Sequence, residues 1–242
     1  MKLFICDTYE DMSRRAADVM GAQVILKPNS VLGLATGSTP VGLYRELADR
    51  CRKGILSFKR VTTVNLDEYC GLPADHEQSY IAFMKRNLFD QIDIDPANTN
   101  LPNGMNADAE AETKRYDALI ASLGGIDMQL LGIGVDGHIG FNEPSDEITI
   151  GTSRIALTES TIEANSRFFA SADEVPRYAY SMGCGTILNA KKILFLANGA
   201  NKADIVEQSF FGPVTPQVPA SILQLHADVT LLGDRAALQK LI

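Results

Sequence analysis

Apolar runs alternate with amphipathic segments along most of the chain. The runs are KLFIC, VLGLA, VTTVNL, MQLLGIG, RIAL, KKILFLA and DVTLLG. Because they are continuously apolar, they are typical of parallel strands that are buried on both faces. After the second run, Leu43, Leu47 and Cys51 recur every four residues among charged neighbours, which predicts an amphipathic helix. The alternation predicts an α/β fold: a doubly wound, mostly parallel, Rossmann-like sheet with helices on both faces.

Two further helices are predicted by apolar stripes. The spacing of Thr8 and Asp11 resembles an N-terminal capping pattern and predicts the start of a first helix. The stripes are Met12, Ala16, Val19 and Met20 in that helix, and Tyr116, Leu119, Ile120 and Leu123 in the other. No repeat, linker or low-complexity tract divides the sequence, so we expect a single domain over residues 1–242. Ligands of such sheets bind beyond the carboxyl ends of the strands, and the loops found there are the candidate site.

Net charge, cysteine spacing and the length of apolar segments disfavour several classes of protein. The formal net charge is −8 at pH 7 and the basic residues are scattered, so no nucleic-acid partner is expected. The four cysteines lie far apart without a CxxC pair, which predicts reduced thiols. No segment approaches the roughly 20 apolar residues of a transmembrane helix, and MKLFICD is too short for the apolar region of a signal peptide. These features predict a cytoplasmic protein without membrane partners.

The loop LATGSTP, residues 34–40, follows the second apolar run. Gly37 permits a tight turn, while Ser38, Thr39 and free amides at the start of the next helix can donate hydrogen bonds to an anion. We therefore predict a phosphate-binding loop that includes Thr36. The loop matches neither GxGxxG nor GxxxxGK[ST], so dinucleotide and ATP sites are not supported. A capped turn with Thr39 before Pro40 explains the loop equally well when it is considered alone.

Two acidic residues, Asp67 and Glu68, are adjacent in NLDEYCGLP at the end of a predicted buried strand. An uncompensated buried carboxylate costs several kcal/mol, so its presence needs a reason. Burial raises the pKa of a carboxylate toward neutrality, which suits a general base. Either residue taken alone is explained equally well as a cap for the next helix.

The stretch LGIGVDGHIGFNEP, residues 131–144, carries one of the three histidines of the chain. Its glycines let the backbone approach a ligand, and Asp136, His138 and Glu143 can converge. A carboxylate beside an imidazole fixes its tautomer and raises its pKa, which suits proton exchange near neutral pH. The alternative is a histidine that satisfies the backbone of the loop, and which carboxylate contacts it is left open.

Two cations are candidates for binding an anionic ligand. Lys202, in LANGANKADI, opens a predicted helix, where a cation opposes the helix dipole unless an anion is bound. Arg167, in ANSRFF, is the second candidate, although a solvated surface arginine is the commoner explanation for one residue alone. A chain with net charge −8 needs local cations to hold a phosphorylated ligand, because its mean field repels anions.

Together, LATGSTP, NLDEYCGLP, HEQSY, GVDGHIGFNEP, ANSRFF and VPASILQLH resemble the glucosamine-6-phosphate deaminase family, in this order and across nearly the whole chain. The resemblance implies an enzyme, a hydrolase acting on an amine with isomerase chemistry, that converts glucosamine 6-phosphate and water to fructose 6-phosphate and ammonia in amino-sugar catabolism. No cofactor and no metal are expected. The single element GxDGH also occurs in 6-phosphogluconolactonases, which share the fold.

The resemblance also implies roles for the candidate residues. His138 is similar to the residue that moves a proton to and from the ring oxygen, with Asp136 and Glu143 as the carboxylates that orient it. Asp67 is similar to the base that moves a proton between the carbon bearing the amine and the anomeric carbon. The matching phosphate ligands are Lys202, Arg167, Ser38, Thr39 and the amides around Gly37.

Further expectations follow from the same resemblance. Tyr80, in HEQSY, is similar to a residue near the site, and residues 157–180 are expected to form a lid that excludes water. The chain ends at Ile242, before the C-terminal segment that longer members use for oligomer contacts and for regulation by N-acetylglucosamine 6-phosphate. A monomer or small homo-oligomer without such regulation is therefore expected.

Two rival functions differ in what they require of the chain. A 6-phosphogluconolactonase-type hydrolase has no use for a carbon base, so the role of Asp67 separates it from a deaminase. A non-enzymatic sugar-phosphate sensor needs a DNA-binding domain. The first strand begins at Lys2 and no helix-turn-helix precedes it, which disfavours the sensor.

Overall fold

The computed structural model describes residues 1–166, 169 and 171–242, and at residues 160, 164, 165 and 172 it describes the backbone alone. Within these ranges the strands are β1 (Lys2–Cys6), β2 (Val31–Leu34), β3 (Thr62–Asn65), β4 (Asp67–Tyr69), β5 (Thr99–Asn100), β6 (Met128–Leu131), β7 (Ser153–Ala156), β8 (Tyr178–Ser181), β9 (Ile193–Ala197) and β10 (Val229–Asp234). The α-helices are α1 (Tyr9–Leu26), α2 (Val41–Arg52), α3 (Tyr80–Asn87), α4 (Ala109–Ser122), α5 (Glu159–Ser166), α6 (Cys184–Leu188) and α7 (Ala203–Phe211). Short 3₁₀ segments occupy Phe89–Gln91, Pro96–Asn98, Ala172–Glu174, Ala200–Lys202 and Pro219–Leu225.

Seven strands form one parallel sheet in the order β1, β10, β9, β6, β2, β3, β5. After β2, the strands β3 and β5 are added on one side of β2. The chain then returns to β6, which pairs with the other side of β2, and β9 and β10 are added beyond β6. The strand order therefore reverses between β2 and β6. Crevices at such a reversal are where open α/β sheets bind ligands.

The buried strands explain the continuous apolar runs in the sequence. Every residue of β2, β6 and β9 is buried, because helices cover both faces of the sheet. The first helix begins as the sequence predicts: the Thr8 side chain accepts a hydrogen bond from the amide of Asp11 at 3.1 Å, and Met12, Ala16 and Met20 lie in the core. The predicted α/β class and sheet are confirmed.

A second, three-stranded antiparallel sheet has the order β4, β8, β7 and was not predicted. The run RIAL is a strand, β7, but it pairs antiparallel with β8 and lies outside the parallel sheet. Its burial alternates between partly exposed and exposed positions, whereas strands of the central sheet are buried on both faces. The second sheet matters for the site because Asp67 and Glu68 lie on β4.

Within the described ranges, no helix is both long enough and apolar enough to span a bilayer. The four cysteines are free thiols, of which Cys6 and Cys184 are buried and Cys51 and Cys70 are partly exposed.

Candidate active site

Four chain segments meet at the carboxyl edge of the parallel sheet. The loops after β2, β6 and β9 contain the phosphate-loop candidates, the His138 segment and Lys202, respectively, and the short strand β4, which follows β3, begins with Asp67. Side-chain contacts join them: the Thr39 hydroxyl donates to Asn198 Oδ1 at 2.8 Å, and Lys202 Nζ donates to the carbonyl oxygen of Ile133 at 2.7 Å. The loops that the sequence indicates are thus neighbours in the fold.

Asp67 is a buried carboxylate at the start of β4, opposite Ser181 of β8, with 6% of its surface exposed. Burial raises its pKa from the ordinary 3.8 to about 7, and the negative charge of Glu68 acts in the same direction. The positive charge of His138 opposes this shift. A carboxylate with a pKa near neutrality can both accept and return a proton, which suits a general base.

Glu68 has a different role from its neighbour. Its Oε1 accepts hydrogen bonds from the amides of Tyr69 at 2.9 Å and Tyr80 at 2.8 Å, and its Oε2 accepts one from Ile81 at 2.9 Å. Burial raises the pKa of Glu68, and these three amides act to lower it. The carboxylate therefore fixes the start of α3, which is the capping role that the sequence left open for either acid.

His138 lies between the two predicted carboxylates. Its Nδ1 is 2.7 Å from Asp136 Oδ1 and 3.5 Å from Glu143 Oε2, so both acids face the same ring nitrogen. The N–H at Nδ1 does not point at either oxygen closely enough for a hydrogen bond, so both contacts are ion pairs. The amide of His138 also donates to Asp136 Oδ1 at 3.1 Å. The order of distance identifies Asp136 as the nearer partner.

The two carboxylates set the protonation state of the imidazole. Burial acts to lower the pKa of His138, but Asp136 and Glu143 outweigh it and raise that pKa from 6.5 to about 9. Burial acts to raise the pKa of Asp136, but contact with His138 holds that pKa well below its usual range. Near neutral pH the site therefore contains an imidazolium beside an ionised Asp136, and the ring can donate a proton.

Two glycines let this loop approach the rest of the site. A Cβ atom on Gly134 would lie 2.2 Å from His138 Cε1, a distance that any side chain would violate. Gly140 has φ +60°, and its Cβ position lies 3.6 Å from Asp67 Oδ2. Since Gly140 is two residues beyond His138, the loop that carries the imidazole passes directly over the predicted base.

The phosphate-loop candidates surround an open turn. Gly37 has φ +94° and no atom within 4 Å of a Cβ position, so its left-handed backbone conformation is what requires glycine. The N-cap residue of α2, Pro40, has no capping side chain, and the Thr39 hydroxyl donates to Asn198 rather than capping the helix. The Tyr9 hydroxyl accepts a hydrogen bond from an amide of the first turn of α2. Thr36 and Thr39 are partly exposed, and Gly37 and Ser38 are exposed. The turn thus leaves polar groups accessible at the start of α2, and the capped-turn alternative is not what the structure shows.

Lys202 is half-buried at the end of a 3₁₀ segment directly before α7. Burial lowers the pKa of Lys202, and Asp136 acts in the opposite direction. Its contact with Ile133 places the ammonium on the same loop that leads to His138. The lysine and Asp67 therefore lie on one edge of the sheet, as a single ligand touching both requires. Arg167 lies outside the described residues.

Tyr80 is the first residue of α3 and belongs to an aromatic group. Its ring centroid lies 4.6 Å from that of Tyr69 and 6.2 Å from that of Phe141, nearly parallel to the latter at 7°. Burial raises the pKa of Tyr80 well above 10. Since Tyr69 is two residues after Asp67 on β4, the two side chains lie on the same face of that strand, and the aromatic group forms an apolar wall on that face.

Sequence reasoning missed two residues at the site. The Tyr9 hydroxyl donates to the carbonyl oxygens of Ser38 and Thr39 and accepts from the amide of Gly42, which ties α1 to the phosphate-loop candidates. The Thr161 hydroxyl donates to Glu143 Oε1 at 2.6 Å. No sequence signal identifies either residue, because each contact joins segments that are distant along the chain.

Asp136, His138 and Glu143 are also the residues that could hold a metal ion. Each offers one ligand atom, and these atoms lie within 4.8 Å of one another. One imidazole with two carboxylates suits several divalent cations. The same three groups also form an acid–base system, in which two carboxylates face one imidazole.

Comparison with known proteins identifies relatives over the full chain. The family model described as glucosamine-6-phosphate isomerases/6-phosphogluconolactonase matches residues 7–232. A glucosamine-6-phosphate deaminase of Clostridioides difficile (strain 630) is 54% identical over 241 residues, covering 100% of this chain and 97% of that protein. One of Lachnoclostridium phytofermentans is 56% identical over 232 residues, covering 96% and 98%, respectively.

Solved structures agree with these relatives. A structure described as a monomeric glucosamine-6-phosphate deaminase superposes with a TM-score of 0.95 at 47% identity, covering 99% of both chains. A 6-phosphogluconolactonase from Trypanosoma brucei has a TM-score of 0.76 at 20% identity, covering 100% of this chain and 98% of that one. The second likeness concerns the fold alone.

Proposed function

The chain belongs to the glucosamine-6-phosphate isomerase/6-phosphogluconolactonase family, and from this premise we propose that it is a glucosamine-6-phosphate deaminase. It converts glucosamine 6-phosphate and water to fructose 6-phosphate and ammonia. The observation that carries the proposal is the position of Asp67, a buried carboxylate with a pKa of about 7, beneath the loop that carries His138. An acid with a pKa of about 9 and a base with a pKa of about 7 thus share one site with a lysine.

Ring opening is the first step. The His138 imidazolium gives a proton to the ring oxygen, and the bond from that oxygen to the anomeric carbon breaks. The anomeric hydroxyl gives its proton to the now neutral imidazole, which leaves an open-chain aldehyde and restores the imidazolium. Asp136 and Glu143 face Nδ1, which leaves Nε2 as the ring nitrogen for the substrate. The raised pKa of His138 keeps the imidazole charged before the step and able to recover its proton afterwards.

Proton transfer between adjacent carbons follows. Asp67 takes the proton from the carbon bearing the amine and forms an enolamine, and it then delivers that proton to the neighbouring former anomeric carbon. The aldehyde oxygen takes up one proton from water as the enolamine forms, and the nitrogen returns one proton to water as the carbon is protonated. The product is an imine, which water converts to the ketone of fructose 6-phosphate and to ammonia. One carboxylate can serve both carbons because they are bonded and face the same side. This acid–base sequence needs no metal ion.

The phosphate group fits the loops next to this centre. We assign it to Lys202 and to Thr36, Gly37, Ser38 and Thr39, which lie on loops joined through Asn198. Positive charge together with hydroxyl and backbone amide donors favours a dianion. Arg167 is proposed as a further ligand on the strength of the sequence resemblance alone.

Residues 157–180 are proposed as a lid over the substrate. Leu157, Ile162 and Val175 from this segment pack with Tyr69 and Phe141 beside the site. An apolar cover of this kind excludes water from the enolamine and favours transfer of the proton to carbon. Tyr80 contributes to the same apolar wall.

A lactonase function is less well supported. Lactone hydrolysis has no carbon acid to deprotonate, so it gives no reason for Asp67 to be buried with a pKa of about 7. The relatives above half identity are deaminases, and the lactonase likeness cited above is at the level of fold. The family description names isomerases, so isomerisation with loss of the amine describes the reaction better than hydrolysis does.

A monomer in the cytoplasm is the proposed state of the protein. The relative of known structure with 47% identity is described as monomeric. Free thiols at all four cysteines fit a reducing compartment. A phosphorylated sugar substrate also fits an intracellular location.

Release of ammonia from glucosamine 6-phosphate tests the function directly. The assay is run beside hydrolysis of 6-phosphogluconolactone by the same preparation, with purified protein and without added metal. We expect stoichiometric ammonia and fructose 6-phosphate and no lactonase activity above the spontaneous rate. Lactone hydrolysis without ammonia release would overturn the proposal.

A further inference from the structure

The loop that carries Asp136, His138 and Glu143 is called the catalytic loop here. Helix α5 contacts this loop through the side chain of Thr161. The Thr161 hydroxyl donates to Glu143 Oε1 at 2.6 Å, while the other carboxylate oxygen, Oε2, lies 3.5 Å from His138 Nδ1. The two oxygens of one carboxylate thus face two different elements. Only 11% of the Glu143 side chain is exposed, so water has little access to this contact.

The hydrogen bonds around Thr161 fix the direction of its proton. The Thr158 hydroxyl donates to Thr161 Oγ1 at 3.0 Å, and the amide of Thr161 donates to Thr158 Oγ1 at 3.3 Å. A hydroxyl has one proton to donate. Because Thr161 Oγ1 already accepts from Thr158, its own proton is directed at Glu143. The distance of 2.6 Å is short for a hydrogen bond between two oxygen atoms.

Apolar packing places the hydroxyl. Ile162, the next residue, is 5% exposed and belongs to the cluster that contains Phe141. Phe141 lies two residues before Glu143 on the catalytic loop. The contact of Thr161 with Glu143 therefore forms when the apolar side of α5 is seated against that loop.

We infer that Thr161 is a positioning residue: its hydroxyl holds the Glu143 carboxylate toward His138 and so couples the docking of α5 to ring opening. The inference rests on the proposed function. A glutamate has three side-chain torsions, and fixing one carboxylate oxygen restricts the place of the other. Loss of the hydroxyl frees Glu143 to turn from Nδ1, whereas Asp67 and the phosphate loops keep their contacts.

The test compares Thr161→Val, which keeps the branched shape, with Thr161→Ser, which keeps the hydroxyl. We expect Thr161→Val to lower kcat about tenfold, as loss of positioning of an acid–base group does, with KM within about twofold of wild type. Thr161→Ser is expected to recover kcat to within about twofold of wild type. Thr113→Val removes a hydroxyl from α4, and it is the matched control.

A binding measurement separates this effect from misfolding. The open-chain alcohol 2-amino-2-deoxyglucitol 6-phosphate needs no ring opening, and we expect Thr161→Val to bind it with a Kd within about twofold of wild type. Unchanged kcat in Thr161→Val, or a loss that Thr161→Ser does not restore, would overturn the inference. Absence of ammonia release by wild-type protein would instead refute the proposed function.

Discussion

Asp67 Oδ2 lies 3.6 Å from the position that a Cβ atom would occupy on Gly140. The backbone at Gly140 therefore passes close to the Asp67 carboxylate. Two segments that are far apart in the sequence meet here, and the loop of His138 lies over the carboxylate. The positive charge of His138 acts on Asp67 and restrains the rise of its pKa. The charge of His138 and the close approach of its loop thus couple the two residues. A substitution of His138 is therefore expected to change the pKa of Asp67.

Replacing Asp67 with asparagine removes the proposed base and keeps its size. We expect Asp67→Asn to lower kcat by about 10³-fold or more, as the upper range of general-base contributions indicates. Uptake of solvent deuterium at the carbon bearing the amine is expected to stop, while binding of substrate remains. Proton NMR in D₂O measures the exchange, and calorimetry measures the binding.

Asp75→Asn is the control for this change, since Asp75 is an exposed aspartate in the segment that follows β4. It is expected to retain wild-type exchange. Deuterium uptake by Asp67→Asn at the wild-type rate would assign the base to another residue and would leave the burial of Asp67 without a catalytic reason.

The rate is expected to depend on pH in a bell-shaped manner. Asp67 must be ionised to accept a proton, so kcat/KM rises as the pH passes through about 7. His138 must be protonated to donate one, so kcat/KM falls as the pH passes through about 9. Steady-state rates over this range, corrected for the ionisations of the substrate measured by NMR, report both limbs. An acid limb centred at about pH 4, the ordinary value for aspartate, would contradict the raised pKa.

The adjacent acid, Glu68, is expected to matter for stability. In Glu68→Gln one carboxylate oxygen that faces an amide is replaced by an NH₂ group, which leaves that amide without an acceptor. We expect a loss of about 1–3 kcal/mol in the free energy of unfolding, measured by urea denaturation, with solvent exchange retained. Glu77→Gln, at an exposed position of the same segment, is expected to unfold like wild type. Equal stability of the two variants would show that the three amide contacts are not needed to hold α3.

The sequence was informative where local physics decides the structure. Continuous apolar runs identified the strands of the parallel sheet except the two-residue β5, and the strand ends then indicated Asp67, His138 and Lys202. Residues whose role depends on contacts between distant segments could not be found in this way. Tyr9 reaches the loop after β2, and Thr161 reaches Glu143, by packing that no local pattern encodes.

The same limit explains the points at which the prediction of structure failed, which include the strands β5 and β8 that no apolar run indicated. RIAL has the apolar content of a central strand, yet its neighbour is β8, and strand pairing is a property of the whole fold. NLDEY continues as a short strand, β4, because its backbone meets β8. Of Asp67 and Glu68, which sequence alone could not distinguish, the structure assigns Glu68 to α3 through its amide contacts.

The Lys202 ammonium donates to the carbonyl oxygen of Ile133 at 2.7 Å, and the proposed phosphate site includes the same ammonium. Lys202→Ala is expected to raise KM for glucosamine 6-phosphate roughly 10- to 100-fold, the size of one hydrogen bond to a charged group. The ratio kcat/KM for glucosamine without phosphate is expected to change less than about twofold, because that sugar has no anion to bind. Lys202→Arg keeps the cation and is expected to recover part of the loss, and Lys59→Ala, at an exposed position, serves as the control. Equal losses for the two sugars would assign Lys202 to the support of the Ile133 loop, since a phosphate ligand must discriminate between them.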